Sequence, residues 1–163
     1  MSSRWFDGLR SPLEVRGWAH QEPRTWLFHF AWPTNPLPMN GGRGQGWRRH
    51  ARQASMVKNH AYQLITLAKL PELYRVTAQL TWWVPDYRVR DPDNLGDLEK
   101  RLFDAIVKAG VVVDDRPQFM DKPRGLIRHL SDADGLVTRP GFVLSVTQTT
   151  TDHHTTPTGR NHR

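Results

Sequence analysis

The segment Tyr74-Arg75-Val76-Thr77-Ala78-Gln79-Leu80-Thr81-Trp82-Trp83-Val84 constrains this chain more than any other. It is rich in β-branched and aromatic residues, and Val76, Ala78, Leu80, Trp82 and Val84 recur at period two. That spacing lines one face of an extended strand. Pro85 limits its end, because proline supplies no ladder N–H.

Segments of helical period flank this strand. From Trp47 to about Ala68 there is no Pro or Gly, and Ala54, Val57, Ala61, Leu64, Ile65 and Ala68 share one face. The spacing predicts an amphipathic helix that Pro71 ends. Beyond Val84, Leu95, Leu98, Leu102, Ile106 and Ala109 predict a second helix, with Gly110 placed to stop it. Upstream, the aromatic run at residues 25–32 reads as a strand and residues 33–42 as a loop. Downstream, Val111-Val112-Val113 is a short apolar stretch that delivers the chain to Asp114-Asp115; a short strand there, beside the strand that ends near Val84, would let that pair meet Asp91 and Asp93. Further strands are expected at 125–130 and 142–149, joined through a turn at Asp134-Gly135. The fold class expected is α/β (α+β): a mixed β-sheet with two main helices packed on one face. Residues 25–150 form the domain, after a polar, irregular extension at 1–24 and before a disordered polar tail at 151–163.

The charge balance points to a partner. The 163 residues carry a net charge of +7. A basic excess of this size suits a polyanion, most simply nucleic acid. Residues 40–70 contain Arg43, Arg48, Arg49, Arg52, Lys58 and Lys69 but no Asp or Glu. Glycines at 41, 42, 44 and 46 precede the first helix, and a helix start carrying arginines suits phosphate contact. Arg88 and Arg90 are placed to clamp the backbone nearby, and Arg116 and Lys122 from the other side. Trp47 reads as a core or interface anchor in preference to a base-stacking wedge. No apolar run is long enough to span a bilayer, and MSSRWFDGLR lacks the apolar core of a signal peptide. The expectation is a cytoplasmic protein with no membrane partner. Without cysteine there is no disulfide and no thiolate metal site. His50 and His60 do not share the face that a helical zinc pair needs, so no histidine is assigned to the site.

Against this basic background, Arg90-Asp91-Pro92-Asp93-Asn94-Leu95-Gly96-Asp97-Leu98-Glu99-Lys100 gathers acids, and Asp114-Asp115 follow. One reading is structural: Asp93 or Asn94 caps the helix, Asp97 favours its positive end, Lys100 pairs with Asp104, and Asp114-Asp115 make a turn. A calcium loop is excluded, because Leu95 and Leu102 stand where that loop needs oxygen ligands. The remaining reading is a magnesium site, since clustered carboxylates repel unless a cation compensates them.

The ordered series Asp91-x-Asp93-Asn94-Leu95, Lys100, Phe103-Asp104-Ala105, Lys108-Ala109-Gly110-Val111, Asp114-Asp115 resembles the signature of the RusA-type Holliday junction resolvases. The resemblance runs from about Thr25 to Thr149, and residues 33–40 are similar to that family's proline-and-asparagine loop. It implies a homodimeric endodeoxyribonuclease that binds four-way DNA junctions and cuts two strands symmetrically with Mg²⁺, or Mn²⁺ in its place. It implies Asp91, Asp93, Asp115 and Lys100 as catalytic residues, with Asp114 beside them as a further metal ligand. The family's usual lysine position falls on Asp97, so Lys100 matches through three extra residues. Two alternatives remain open: a non-catalytic, structure-selective DNA-binding protein, and an enzyme holding a nucleotide diphosphate. The second lacks a phosphate loop, because Gly41–Gly46 is followed by no Lys-Ser/Thr pair.

Overall fold

A computed structural model describes residues 13–15, 23–39 and 46–149, the first three as backbone only. In chain order the elements are β1 (Leu13–Val15), β2 (Thr25–Phe30), α1 (Trp47–Leu67), β3 (Val76–Val84), α2 (Gly96–Lys108), β4 (Met120–Asp121), β5 (Leu126–His129) and β6 (Gly141–Gln148). Short 3-10 turns at Pro92–Leu95 and Leu130–Asp132 join them.

The sheet is mixed. Its order is β1-β2-β6-β3, and β4 and β5 both pair with β3 on its far side as two pieces of one edge. β6 runs antiparallel to β2 and β3, whereas β4 and β5 run parallel to β3. A parallel pairing after β3 needs a crossover, and α2 supplies it. β1 is a correction to the expected irregular extension: Leu13 pairs with Leu27 and Val15 with Thr25. The expected tail lies outside the described residues.

Register puts the period-two residues of β3 into rows that cross the sheet. Phe28, Leu144 and Leu80 form one row, and Trp26, Val146 and Ala78 the next. Both rows are buried, with Ala54, Val57, Ala61 and Ile65 of α1 and Leu98, Leu102 and Ile106 of α2 in the same core. Both helices therefore cover one face of the sheet. Their side contacts progress in the same sense: His50 meets Asp97, Lys58 meets Asp104, and Asn59 meets Lys108. The helices therefore run parallel. α1 stops where Lys69 turns to φ 51, two residues before Pro71, and α2 stops before Gly110 at φ 75. Among the described residues no helix is long and apolar enough to cross a membrane.

Leu144 is fully buried at the centre of the middle row. Leu144→Ala is expected to lower unfolding free energy by about 2–5 kcal/mol, the lost transfer energy plus the cavity, read from urea melts at unchanged m-value.

Candidate functional site

Topology gathers one end of the domain. β2, β3 and β5 all point the same way, so their C-terminal ends lie together. α2 follows β3 directly, and parallel α1 starts beside it. The loop after β2 is fastened to the same place. Asn35 Nδ2 donates to the Asn94 carbonyl at 2.7 Å, and Asn35 Oδ1 accepts the Leu37 N–H at 2.9 Å. Ligands of sheets with parallel strands characteristically meet this end.

The acid turn sits there. Asp91 is the cap, in place of Asp93 or Asn94: its Oδ1 accepts the Asp93 N–H at 2.9 Å and starts the Pro92–Leu95 turn. Asp93 is 76% exposed and its Oδ1 accepts from Arg124 Nη2 at 2.6 Å. Asp97 does more than favour the helix dipole. It pairs with His50 Nε2 at 2.7 Å and Arg101 at 3.5 Å, tying the start of α2 to the start of α1. Lys100 is exposed, and its expected partner Asp104 pairs instead with Lys58 of α1 at 3.5 Å. The α2 side chain that reaches the β4–β5 connection is Glu99, which stands about 100° round the helix from Lys100. Glu99 Oε1 is buried against Gly125 without a hydrogen-bond partner. Burial pushes the Glu99 carboxyl up, against the opposing pull of the Arg124 charge.

Asp114 and Asp115 are placed differently from expectation. Val111–Val113 forms no strand, and it lies at the start of β3, not its end. The Val111 carbonyl accepts the Leu73 N–H at 2.7 Å, and the Phe119 carbonyl accepts the Val76 N–H at 2.9 Å. Val111 and Val112 are drawn into the core, and β4 and β5 take the edge position instead. Asp114 accepts the Asp115 N–H at 2.7 Å and Arg116 Nε at 2.6 Å. Partial desolvation raises the Asp114 carboxyl, but these donors outweigh it and hold the group low. Asp115 Oδ2 pairs with Lys122 at 3.1 Å. Lys122 and Arg124 thus tie one acid of each pair to a single three-residue segment.

The expected magnesium set of Asp91, Asp93, Asp115 and Asp114 is not one ligand group. Among the described residues no three His, Asp or Glu side chains come together to hold a metal. What fits a divalent cation is narrower. Asp91 and Asp93 each use one carboxylate oxygen internally. Mg²⁺ is commonly held by one or two carboxylates, its own waters and phosphate oxygens.

The basic residues divide. Arg48, Arg49 and Arg52 are exposed on the first turns of α1, where no acid stands in the first turn. Trp47 is 63% exposed and Arg48 lies over its ring at 5.5 Å, so it is no core anchor. Arg43 lies outside the described residues. Arg90 is committed internally: it grips Asp86 through both terminal nitrogens, at 2.7 and 3.1 Å, and lies 5.0 Å over Trp82. Arg88 has an 85% exposed side chain. Asp86 also accepts the Arg88 N–H at 3.0 Å. The Arg90 fork, foremost, holds the Asp86 carboxyl down at about 2. Outside this closed loop, Tyr87 stacks on His129 at 4.0 Å and 5°. Sequence reading missed Glu99, Arg124, Tyr87 and His129. Only Tyr87 carried a signal, an aromatic ring in a loop between Pro85 and the acids.

Two predictions follow from this packing. A Cβ at Gly125 would meet Glu99 Oε1 at 2.5 Å and Leu95 Cδ1 at 3.0 Å. Gly125→Ala is expected to destabilise by about 1–3 kcal/mol, and Glu99→Ala in the same chain to restore part of it, read from paired thermal melts. Asp86 is expected to titrate at about 2, and Arg90→Gln to return it toward 3.8. A depressed carboxyl stabilises the folded state above its unfolded value. The loop is therefore held above pH 3.8 and loses that contribution as the pH falls toward 2, which NMR titration of the Asp86 carboxyl checks.

No protein-family model matches this chain, and no curated protein matches it.

Proposed function

We propose that this protein is a metal-dependent endodeoxyribonuclease of the RusA kind, acting on branched DNA as a homodimer. One observation carries the reading. The His50–Asp97 pair sets the start of α1, whose first turns carry exposed Arg48, Arg49 and Arg52, against the start of α2, which the exposed Asp91 and Asp93 turn leads into. A polyanion drawn to the arginines meets carboxylates that would repel it unless a cation stands between them.

The roles follow from position. Arg48, Arg49, Arg52 and Arg88 contact phosphates and set the DNA in place. Asp91 and Asp93 are the metal-binding pair, and a bound Mg²⁺, or Mn²⁺ in its place, supplies a water of lowered pKa and polarises the scissile phosphate. Arg124 moderates the charge of Asp93, as Lys122 does that of Asp115. Lys100 offers an uncommitted cation to the phosphate. Asp115, which the RusA resemblance assigns to cleavage, and Asp114 beside it are the second acid pair. The two-fold symmetry of a homodimer matches paired cuts in a four-way junction.

A second reading keeps DNA binding and removes the chemistry. It is favoured by the internal engagement of Asp91 as a cap and of Asp93, Asp114 and Asp115 by Arg124, Arg116 and Lys122.

Cleavage of an end-labelled synthetic four-way junction, beside linear duplex with the same arms, separates the two. Symmetric nicks in Mg²⁺ that vanish in EDTA are expected. Asp93→Asn and Asp115→Asn should each lose on the order of 100-fold in rate, the scale of one charge-stabilising group, with junction binding kept. Binding without nicks in Mg²⁺ or Mn²⁺ selects the non-catalytic reading. An Asp115→Asn protein that cuts like the natural chain removes Asp115 from the site.

A further inference from the structure

The loop between β3 and the acid turn is built to display a ring. Its base is locked: Arg90 forks onto Asp86, Asp86 accepts the Arg88 N–H, and the Arg90 guanidinium lies on Trp82. A locked loop has no need to leave apolar groups in water. Yet Tyr87 is 82% exposed and Val89 fully exposed, with Arg88 between them. One face of the Tyr87 ring nonetheless stacks on His129. His129 is fixed in turn. Its Nδ1 bonds the Ser131 hydroxyl at 2.7 Å and accepts the Ser131 N–H at 3.2 Å, capping the Leu130–Asp132 turn. Register places His129 opposite Val84, so this two-ring stack rests on the ends of β3 and β5.

We propose that Tyr87, backed by His129, is a stacking platform for an unstacked nucleobase at a DNA branch point. This rests on the DNA-acting function proposed above. The occupant follows from chemistry. A flat ring held coplanar on a second ring, with its other face open, continues naturally into a third flat ring. Exposed Arg88 beside it, and exposed Arg128 next to His129, suit the phosphates on either side of that base. Paired bases inside a duplex are already stacked and have no face to give. The platform therefore selects branched or unpaired DNA over linear duplex, and the arginines supply affinity common to both. Tyr87 stands four residues before Asp91, so a base seated on it brings the adjoining backbone toward the acid turn.

The test is affinity, measured in EDTA over a range of salt, for a labelled four-way junction and for linear duplex with the same arms. Tyr87→Ala is expected to weaken junction binding about five- to a hundredfold, leave duplex binding unchanged, and leave the salt slope for both unchanged. Tyr87→Phe keeps the ring and should bind the junction like the natural chain. Arg88→Gln should weaken both DNAs and reduce the slope by about 0.9. Tyr87→Ala that binds the junction like the natural chain, or loses duplex binding equally, overturns the platform while leaving the DNA reading intact. A natural chain that binds neither DNA overturns both.

Discussion

The placement of the candidate site depends on how the core stops at the end of β3. Phe30, Phe142 and Trp82 form the last row across the sheet, with Trp82 stacked on Phe142 at 4.9 Å. The Arg90 guanidinium lies over Trp82 and forks onto Asp86. An aromatic face and a carboxylate together hold a guanidinium in one orientation, which neither does alone. The chain therefore leaves the sheet in a fixed direction, and the next residue, Asp91, is delivered to a defined place. The turn at Pro92–Leu95 then sets the first residues of α2.

From that point the polar contacts between the helices carry the geometry sideways. His50–Asp97 sets the start of α1 against the start of α2, and Lys58–Asp104 and Lys108–Asn59 keep the helices in step. Half-exposed pairs of this kind contribute modestly to stability. Their effect is register: they decide which turn of the basic helix lies beside the acids. The apolar seam beneath them supplies the stability.

Much of this was legible in the sequence because it is written in local periods. Val76 to Val84 at period two, and Leu95 to Ile106 at period 3.6, each find their buried face as the spacing demands. The candidate acids were legible as residues but not as a constellation. Val111–Val113 looks like a strand by composition, yet its valines are used to close the end of the core beside β3's start. That choice depends on contacts far away in the chain, and among the described residues no three of the acids come together to hold a metal. Arg90 looked like a DNA contact because it is basic and adjacent to acids. Nothing local told that Trp82, eight residues earlier, would lie beneath it. Trp47 differs in the opposite sense, since aromatic composition alone does not tell a core anchor from a displayed ring.

The outer edge of the sheet is split into β4 and β5, with Lys122, Pro123 and Arg124 in the gap and Arg128 beyond it. A continuous strand there would present an unbroken row of backbone donors and acceptors. The break interrupts that row, proline withholds a donor, and exposed Arg128 places a charge on the edge. The same residues that sit between the acid pairs thus also make this edge a poor template for further strand pairing.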